Sequence, residues 1–474
     1  MSNTGLGKSL FRLYELYCEN GGVVTTDSRA VAGLGAPIFF ALSGENFDGN
    51  DYAVQAVADG AAAAVVRGRL PKGVEAGSDE AARYFVVEDT LAALQELAAY
   101  HREVLGLPVV ALTGSNGKTT TKELTARVLG VKYRVACTRG NLNNHIGVPL
   151  TLLSIREEDD VAVVEMGANH RGEIADLCEI ARPDVGLITN VGRAHLEGFG
   201  GPEGIRRGKG ELFDYLAAHG GRAVYSAEDP VLTAMVGERF SAEVGEGSGA
   251  AVGYSAAAFG LTVVGNDPLT LRTAFGEVQT HMTGGYNLAN VAAAVAVGDY
   301  FGIPLSEALR AAADYVPDNN RSQVADSVNG TGNRLYRDAY NANPSSMAAA
   351  LDNFLALPDS SAEFPGGKAV ILGDMRELGE FSAAEHRAIV ERLRGAVSAR
   401  GTQQQQQRLV GYLVGPEFSA ALDALGTPCD GLRAFDSVDA LIEALAADSV
   451  RIRRTLLLVK GSRGTTLEKL YPLL

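Results

Sequence analysis

Residues 108–129 read PVVALTGSNGKTTTKELTARVL, an apolar run, a glycine-bearing turn and a helix-like segment in direct succession. A buried strand that turns sharply into a helix needs the next strand to return parallel to it, so this stretch points to a parallel sheet covered by helices. Further apolar runs that lead into helix-like sequence support that architecture, at VAVVEMG (161–167) and VGLITNVG (185–192). The turn itself admits two readings. Glycines between a strand and a helix often serve sterics alone. A phosphate-binding loop needs more: backbone N–H groups in a concave run, a helix N-terminus, a cation and a hydroxyl for a metal. The strict phosphate-loop pattern wants a glycine where Leu112 stands. Gly114, Ser115, Asn116 and Gly117 nevertheless precede Lys118, Thr119 and Thr120 in the required order. The nucleotide-phosphate reading is favoured, with Lys118 reaching the β- and γ-phosphates and Thr119 holding the metal.

The chain has 474 residues, and at roughly 150 residues per domain it is expected to form about three. Residues 1–107 mix short apolar segments with helical ones, and TLAALQELAAYHREVLG (90–106) reads as an amphipathic helix ending at Gly106. A second strand–helix alternation follows residue 317, with strand candidates in KAVILGDM, RLVGYLVG and RTLLLVKG. The expected division is 1–107, 108–316 and 317–474, with hinges near 107 and 316. GTQQQQQR (401–408) reads as a solvated insertion.

A net charge of -15 argues against non-specific nucleic-acid binding, which rests on clustered lysine and arginine. Four scattered cysteines, Cys18, Cys137, Cys178 and Cys429, make a poor disulfide or zinc framework and suit a reducing compartment. The amino-terminal segment lacks an apolar signal core, and no apolar run reaches membrane-spanning length. A cytoplasmic, monomeric enzyme is the expectation. No GxGxxG follows a strand in the last third, and the nearest candidate, GLGAPI (33–38), ends in isoleucine, which excludes a dinucleotide fingerprint.

Other polar residues gain interest from position. Glu165 ends an apolar strand and would face the loop at the carboxyl end of the sheet, as a metal ligand or a helix-capping glutamate. His195, in NVGRAHLEGFG, follows a further strand and fits a site or a structural role equally. Lys209, in GIRRGKGELF, gains no role from residue chemistry alone. Arg321 (NNRSQ), Asp338 (RDAYNANPSSM), Lys460 and Arg463 (VKGSRG) follow or bracket apolar runs, and an arginine delivered from another domain is a recurrent aid to phosphoryl transfer.

Together, TGSNGKTTTKEL, GNLNNHIGVPLTLL, VVEMGANHRGEIADL, NVGRAHLEGFG, GKGELF, GGYNLANVAAAVAV, NNRSQ, RDAYNANPSSMAAAL, LGDMRELG and VKGSRG resemble the Mur ligases of peptidoglycan synthesis. The resemblance runs from TDSRAVAGLGAPIFFALSGENFDGNDYA (26–53) to the last residues and covers all three expected domains in order. It implies a small α/β amino-terminal domain for the UDP end of a substrate, with Asp27, Ser28 and Arg29 as contacts. It also implies a central ATPase domain and a carboxyl-terminal domain of Rossmann-like topology. The family's loop is TGSNGKTT, without the outer glycine. Glu165 and His195 become metal ligands, and Lys209 matches a lysine that is carbamoylated, joining them around Mg²⁺, with two ions expected. Asn287 and Asn290 would contact adenine, Arg321 and Asp338 would complete the nucleotide site, and Asn143, Asn144, Tyr340, Asn341 and Asn343 would line the acceptor or dipeptide region. The implied activity is ATP-dependent ligation of D-alanyl-D-alanine to a UDP-N-acetylmuramoyl-tripeptide through an acyl phosphate. A related ligase adding one amino acid, and an ATP-controlled binding module, are the competing readings.

Overall fold

The computed structural model describes residues 5–240, 250–317, 323–358, 362–401, 409–426 and 429–474. Three sheets with parallel pairing follow one another along the chain. The first has four strands, in the order Val24–Thr25, Ile38–Phe40, Ala63–Arg67, Tyr84–Val87, all parallel. Its Ile38, Phe40 and Val65 are fully buried.

The helix expected at 90–106 is present as Thr90–Leu105. Asp89 caps it by accepting from the Leu91 and Ala92 N–H groups, and Gly106 closes it at φ 62°, a left-handed position that glycine adopts without strain. This helix does not pack on the first sheet alone. Arg102 donates from Nη2 to Asp184 at 2.7 Å and from Nε to the Ala181 carbonyl at 3.1 Å, both on the next body of the chain. His101 meets the Tyr14 and Tyr17 hydroxyls and the Ile155 carbonyl. The amino-terminal helix Gly5–Glu19 and Thr90–Leu105 are thereby anchored to the central body, Leu94 and Leu97 being fully buried there, each contributing about 2 kcal/mol.

The central sheet is parallel throughout, in the order Ala250–Tyr254, Arg222–Ser226, Val185–Ile188, Val109–Thr113, Val161–Glu165, Val135–Cys137. Three of its inner strands, Val185–Ile188, Val109–Thr113 and Val161–Glu165, are buried on both faces, which is why they read as apolar runs. Gly186 lets the helix Pro202–Ala218 pack closely, since a Cβ there would lie 2.7 Å from a Leu216 methyl group. A feature the sequence did not signal is a three-stranded antiparallel sheet, Thr262–Asn266, Leu269–Thr273 and Gly276–Gln279. It adds Leu269 and Leu271 to the core under the helix Asn287–Tyr300.

The last sheet runs Gln323–Asp326, Arg334–Asp338, Leu456–Lys460, Lys368–Gly373, Leu409–Val414, Leu432–Phe435. Only the first, edge strand is antiparallel, so the strands expected in KAVILGDM, RLVGYLVG and RTLLLVKG form a Rossmann-like sheet. The tract at 402–408 lies outside the described residues, as do 318–322, beside the hinge expected near 316.

Candidate functional site

The loop sits where the sequence places it, between the strand Val109–Thr113 and the helix Lys118–Leu129, whose N-terminus faces it. Two glycines are obligatory. Gly114 has φ 141° and a Cβ there would fall 2.1 Å from Thr189 Oγ1; Gly117 has φ 78° and a Cβ would fall 2.4 Å from Asn290 Oδ1. The neighbouring strand end braces the loop. Ser115 N–H donates to the Asn190 carbonyl (3.0 Å) and Asn116 N–H to Asn190 Oδ1 (3.1 Å), while Thr189 Oγ1 donates to the Asn116 carbonyl (2.6 Å). Ser115 Oγ and Gly192 exchange hydrogen bonds in both directions. Lys118 curls over the loop and donates from Nζ to the Gly114 carbonyl at 2.8 Å. Thr119 is buried at the first helical turn and Thr120 half-buried beside it. Asn190 was quoted in the sequence only as part of a strand; its bracing role becomes visible once the two strands are neighbours.

Asn287 and Asn290, expected at adenine, serve the loop in this structure. Asn290 Oδ1 accepts from Thr121 Oγ1, its amide donates to Asn287 Oδ1, and the Asn287 amide donates to the Thr283 carbonyl. Both are nearly buried, so they lock the loop helix against Asn287–Tyr300.

Glu165 is 1% exposed at the end of its strand. Its Oε1 accepts from the Asn143 amide at 2.8 Å, and its backbone N–H donates to Thr138 Oγ1. Its Oε2 is buried with no hydrogen-bond partner, a costly state for a carboxylate unless something positive meets it. Beneath it Lys122, fully buried, donates to the Thr138 carbonyl and to Glu123, both at 2.6 Å.

Lys209 is fully buried, donates to the Ala168 carbonyl at 3.2 Å and sits 4.9 Å from the Phe199 ring centroid. Burial pushes its amine well below the ordinary lysine range, and the Lys118 charge pushes the same way. An amine held neutral is the form that adds carbon dioxide, so the environment suits carbamoylation. Among the described residues no group of three or more His, Cys, Asp or Glu side chains is placed to hold a metal. The orphaned Glu165 oxygen and the Thr119 hydroxyl are hard oxygens of the kind Mg²⁺ takes, and a carbamate on Lys209 would add more.

His195 occupies a left-handed position, φ 55°, and its Nδ1 pairs with Glu377 of LGDMRELG, a residue with no local sequence signal of a partner. The His195 hydrogen bond holds the Glu377 carboxyl below the usual range. Further bonds join the same segments: Arg193 Nη1 donates to Glu385 at 2.5 Å, Arg193 N–H to Ser345 Oγ at 2.9 Å, and Glu197 N–H to the Glu377 carbonyl at 3.2 Å.

In the carboxyl-terminal lobe Asp338 accepts from Lys460 Nζ at 2.6 Å. Asn343 caps the helix Pro344–Ala356 through its Oδ1 and donates its amide to Asn116 Oδ1 at 2.7 Å, which brings it onto the phosphate loop. Asn341 Oδ1 accepts from the Ala342 N–H. Asn144 is a cap as well, accepting from the Ile146 and Gly147 N–H groups, unlike its neighbour Asn143 at Glu165. Asp27, Ser28 and Arg29 stand apart from the loop: Asp27 starts the turn Ser28–Gly33 and pairs with Arg29, which holds its carboxyl down at about 2. Arg321 lies outside the described residues. A cavity of about 890 Å³ runs from Thr119 and Glu123 past residues 135–141 to Ser154, Arg156 and Asp159, and Tyr340 and Arg463 close it from the carboxyl-terminal lobe.

Comparison with known proteins matches three family descriptions in succession: "Mur ligase family, catalytic domain" over residues 22–102, "Mur ligase middle domain" over 112–298, and "Mur ligase, glutamate ligase domain" over 320–463. The chain is 36% identical to UDP-N-acetylmuramoyl-tripeptide–D-alanyl-D-alanine ligase of Escherichia coli, covering 94% of this chain and 92% of that one. Against the Bacillus subtilis protein of the same name it is 35% identical, covering 77% and 76%. Among solved structures it is similar to MurF from Acinetobacter baumannii, with TM-score 0.74 and 31% identity over 96% of each chain. It is likewise similar to MurF ligase from Thermotoga maritima in complex with ADP, with TM-score 0.74 and 26% identity over 95% and 96%.

Proposed function

The chain belongs to the Mur ligase family, and from that premise we propose that it joins D-alanyl-D-alanine to a UDP-N-acetylmuramoyl-tripeptide, converting ATP to ADP and phosphate. One observation carries the reading beyond membership: a single cavity is lined both by Thr119 of the phosphate loop and by Tyr340 and Arg463 of another lobe, so an activated carboxylate and an attacking amine can meet there.

A free carboxylate resists attack by an amine because its charge is delocalised and its oxygen leaves badly. Transfer of the γ-phosphoryl group breaks its bond to ADP and makes one to the carboxylate oxygen, giving an acyl phosphate. The dipeptide amine then attacks the carbonyl carbon, and the tetrahedral intermediate expels phosphate as the amide forms. In this reading the N–H groups of Gly117–Thr119 at the helix start cradle the phosphates, those of Ser115 and Asn116 being taken by Asn190, and Lys118 swings from the Gly114 carbonyl to neutralise the migrating group. Arg321 and Asp338 complete the nucleotide site from the far lobe. Thr119, Glu165, His195 and a carbamoylated Lys209 would hold Mg²⁺, two ions in all, whose charge when bound offsets that of the phosphates. Asp27, Ser28 and Arg29 take the UDP end, and Tyr340, Asn341 and Asn343 border the dipeptide. The bonds Asn343–Asn116 and Arg193–Glu385 hold the lobes together and help keep water from the acyl phosphate. A cytoplasmic monomer suits the use of ATP and a soluble nucleotide-linked acceptor; among the described residues no helix is long and apolar enough to cross a membrane.

The test is phosphate release coupled to product formation. UDP-N-acetylmuramoyl-tripeptide with D-alanyl-D-alanine supports turnover, and replacing the dipeptide by a single amino acid does not. ATP hydrolysis indifferent to either acceptor would instead mark a nucleotide-controlled binding module.

A further inference from the structure

The strand Val135–Cys137 is the outer edge of the central sheet, and it forms a wall of the cavity. Its inward backbone groups are identified by their bonds to Val161–Glu165. Thr138 N–H donates to the Val163 carbonyl, and the Arg134 carbonyl accepts from Asp160 and Val161. In a parallel strand the N–H and C=O of one residue point to the same side and successive residues alternate. Residues 134, 136 and 138 therefore face the sheet, and the backbone groups of Val135 and Cys137 face the cavity. An uncovered edge of this kind is a template for an extended peptide.

The two ends of the cavity indicate which peptide. At one end stands Thr119, on the first turn of the loop helix. At the other stands Arg156, which donates to the Gly22 carbonyl (3.1 Å) and the Tyr17 hydroxyl (3.4 Å) in the amino-terminal region. A ligand filling the space spans from that region to the phosphate loop, as a nucleotide-linked peptide must and a free dipeptide need not. Three edge residues measure about 10 Å, the reach of an extended tripeptide. Arg139, exposed directly beyond the strand, has no side-chain partner among the described residues and is free for an anion. A protein similar in structure is named for an alanyl-D-glutamyl-diaminopimelate acceptor, and a D-glutamyl unit within a peptide keeps one free carboxylate.

Resting on the ligase reading above, we propose that the acceptor peptide lies extended along the Val135–Cys137 edge, adding a short strand to the central sheet. Its reacting carboxylate is then at Thr119 and its spare carboxylate at Arg139. The incoming dipeptide enters from the side of Tyr340 and Arg463.

Steady-state KM values for the three substrates test this. Proline at an outward-facing edge position removes one donor without breaking the ladder. Cys137→Pro raises the KM for the UDP-linked tripeptide about tenfold, the effect of one lost hydrogen bond, and leaves the KM for ATP and for D-alanyl-D-alanine within twofold. Cys137→Ala, which keeps the N–H, moves the acceptor KM by less. An acceptor whose alanyl–glutamyl amide is replaced by an ester is the matching probe on unaltered enzyme, with an expected KM increase of similar size, so a variant that fails to fold leaves the question answerable. An unchanged acceptor KM for the ester, or a rise confined to the dipeptide KM in folded Cys137→Pro, overturns the edge-strand placement. Absence of acceptor-dependent phosphate release from unaltered enzyme overturns the ligase reading itself and is seen before any variant is made.

Discussion

The two six-stranded sheets share a plan and treat their buried charges in opposite ways. At strand ends in the carboxyl-terminal lobe the carboxylates are satisfied within the protein: Asp338 by Lys460, and Asp374 by the N–H groups of Glu417 and Phe418 at a helix start. In the central lobe Glu165 keeps an oxygen with no partner and Lys209 is sealed among apolar groups with a carbonyl and a ring for company. Paired charges hold a sheet in shape, whereas desolvated groups left short of a partner are poised for a ligand. By that measure the central lobe holds the groups left short of a partner, and the carboxyl-terminal lobe holds the satisfied ones.

Several measurements bear on that contrast. Lys118→Ala lowers ATP-dependent ligation by about 10²–10³-fold with an unaltered circular dichroism spectrum, as expected for removing one charge-stabilising donor; near-normal turnover would detach the loop from catalysis. Asp338→Asn leaves Lys460, 2% exposed, without its counter-charge, and urea denaturation should report a loss of about 3 kcal/mol. Lys209→Met should act in the other direction on stability, adding about 1–2 kcal/mol in carbon-dioxide-free buffer while ligation is lost. Because the Lys209 amine is held below its ordinary range, the unfolded chain binds more protons than the folded one as pH drops from the ordinary lysine value. Stability due to this residue therefore rises with pH across that window, and Lys209→Met flattens the slope. A destabilised Lys209→Met protein would mean that the amine is better satisfied than its surroundings indicate. Smallest is Arg193→Ala, which removes the half-exposed bridge to Glu385 for less than about 1 kcal/mol, visible as a modest rise in KM rather than a change in melting.

Much of this architecture was legible because the inner strands are buried on both faces and read as plain apolar runs, while Gly106 marked a helix end by its need for positive φ. Glu165 was legible through its position at a strand end. What the sequence withheld depends on contacts across long separations. Glu377 meets His195 and Asn343 meets Asn116 only after two lobes pack, and neither partner carries a local sign of the other. The packing of Thr90–Leu105 on the central body through Arg102 and Asp184 is of the same kind. The antiparallel strands at 262–279 were missed for a different reason: their exposed positions break the apolar pattern, and their pairing rests on short turns. Asn287 and Asn290 belong with Glu377 and Asn343, since the bonds that tie them to Thr121 and Thr283 carry no local sign in the sequence.

The amide of Asn343 that lands on Asn116 couples two distant parts of the chain. The loop gains one of its supports from the lobe carrying Tyr340 and Arg463, so the placement of that lobe is written into the shape of the loop. A shift of either partner would therefore be felt at both, though they stand 227 residues apart in the chain.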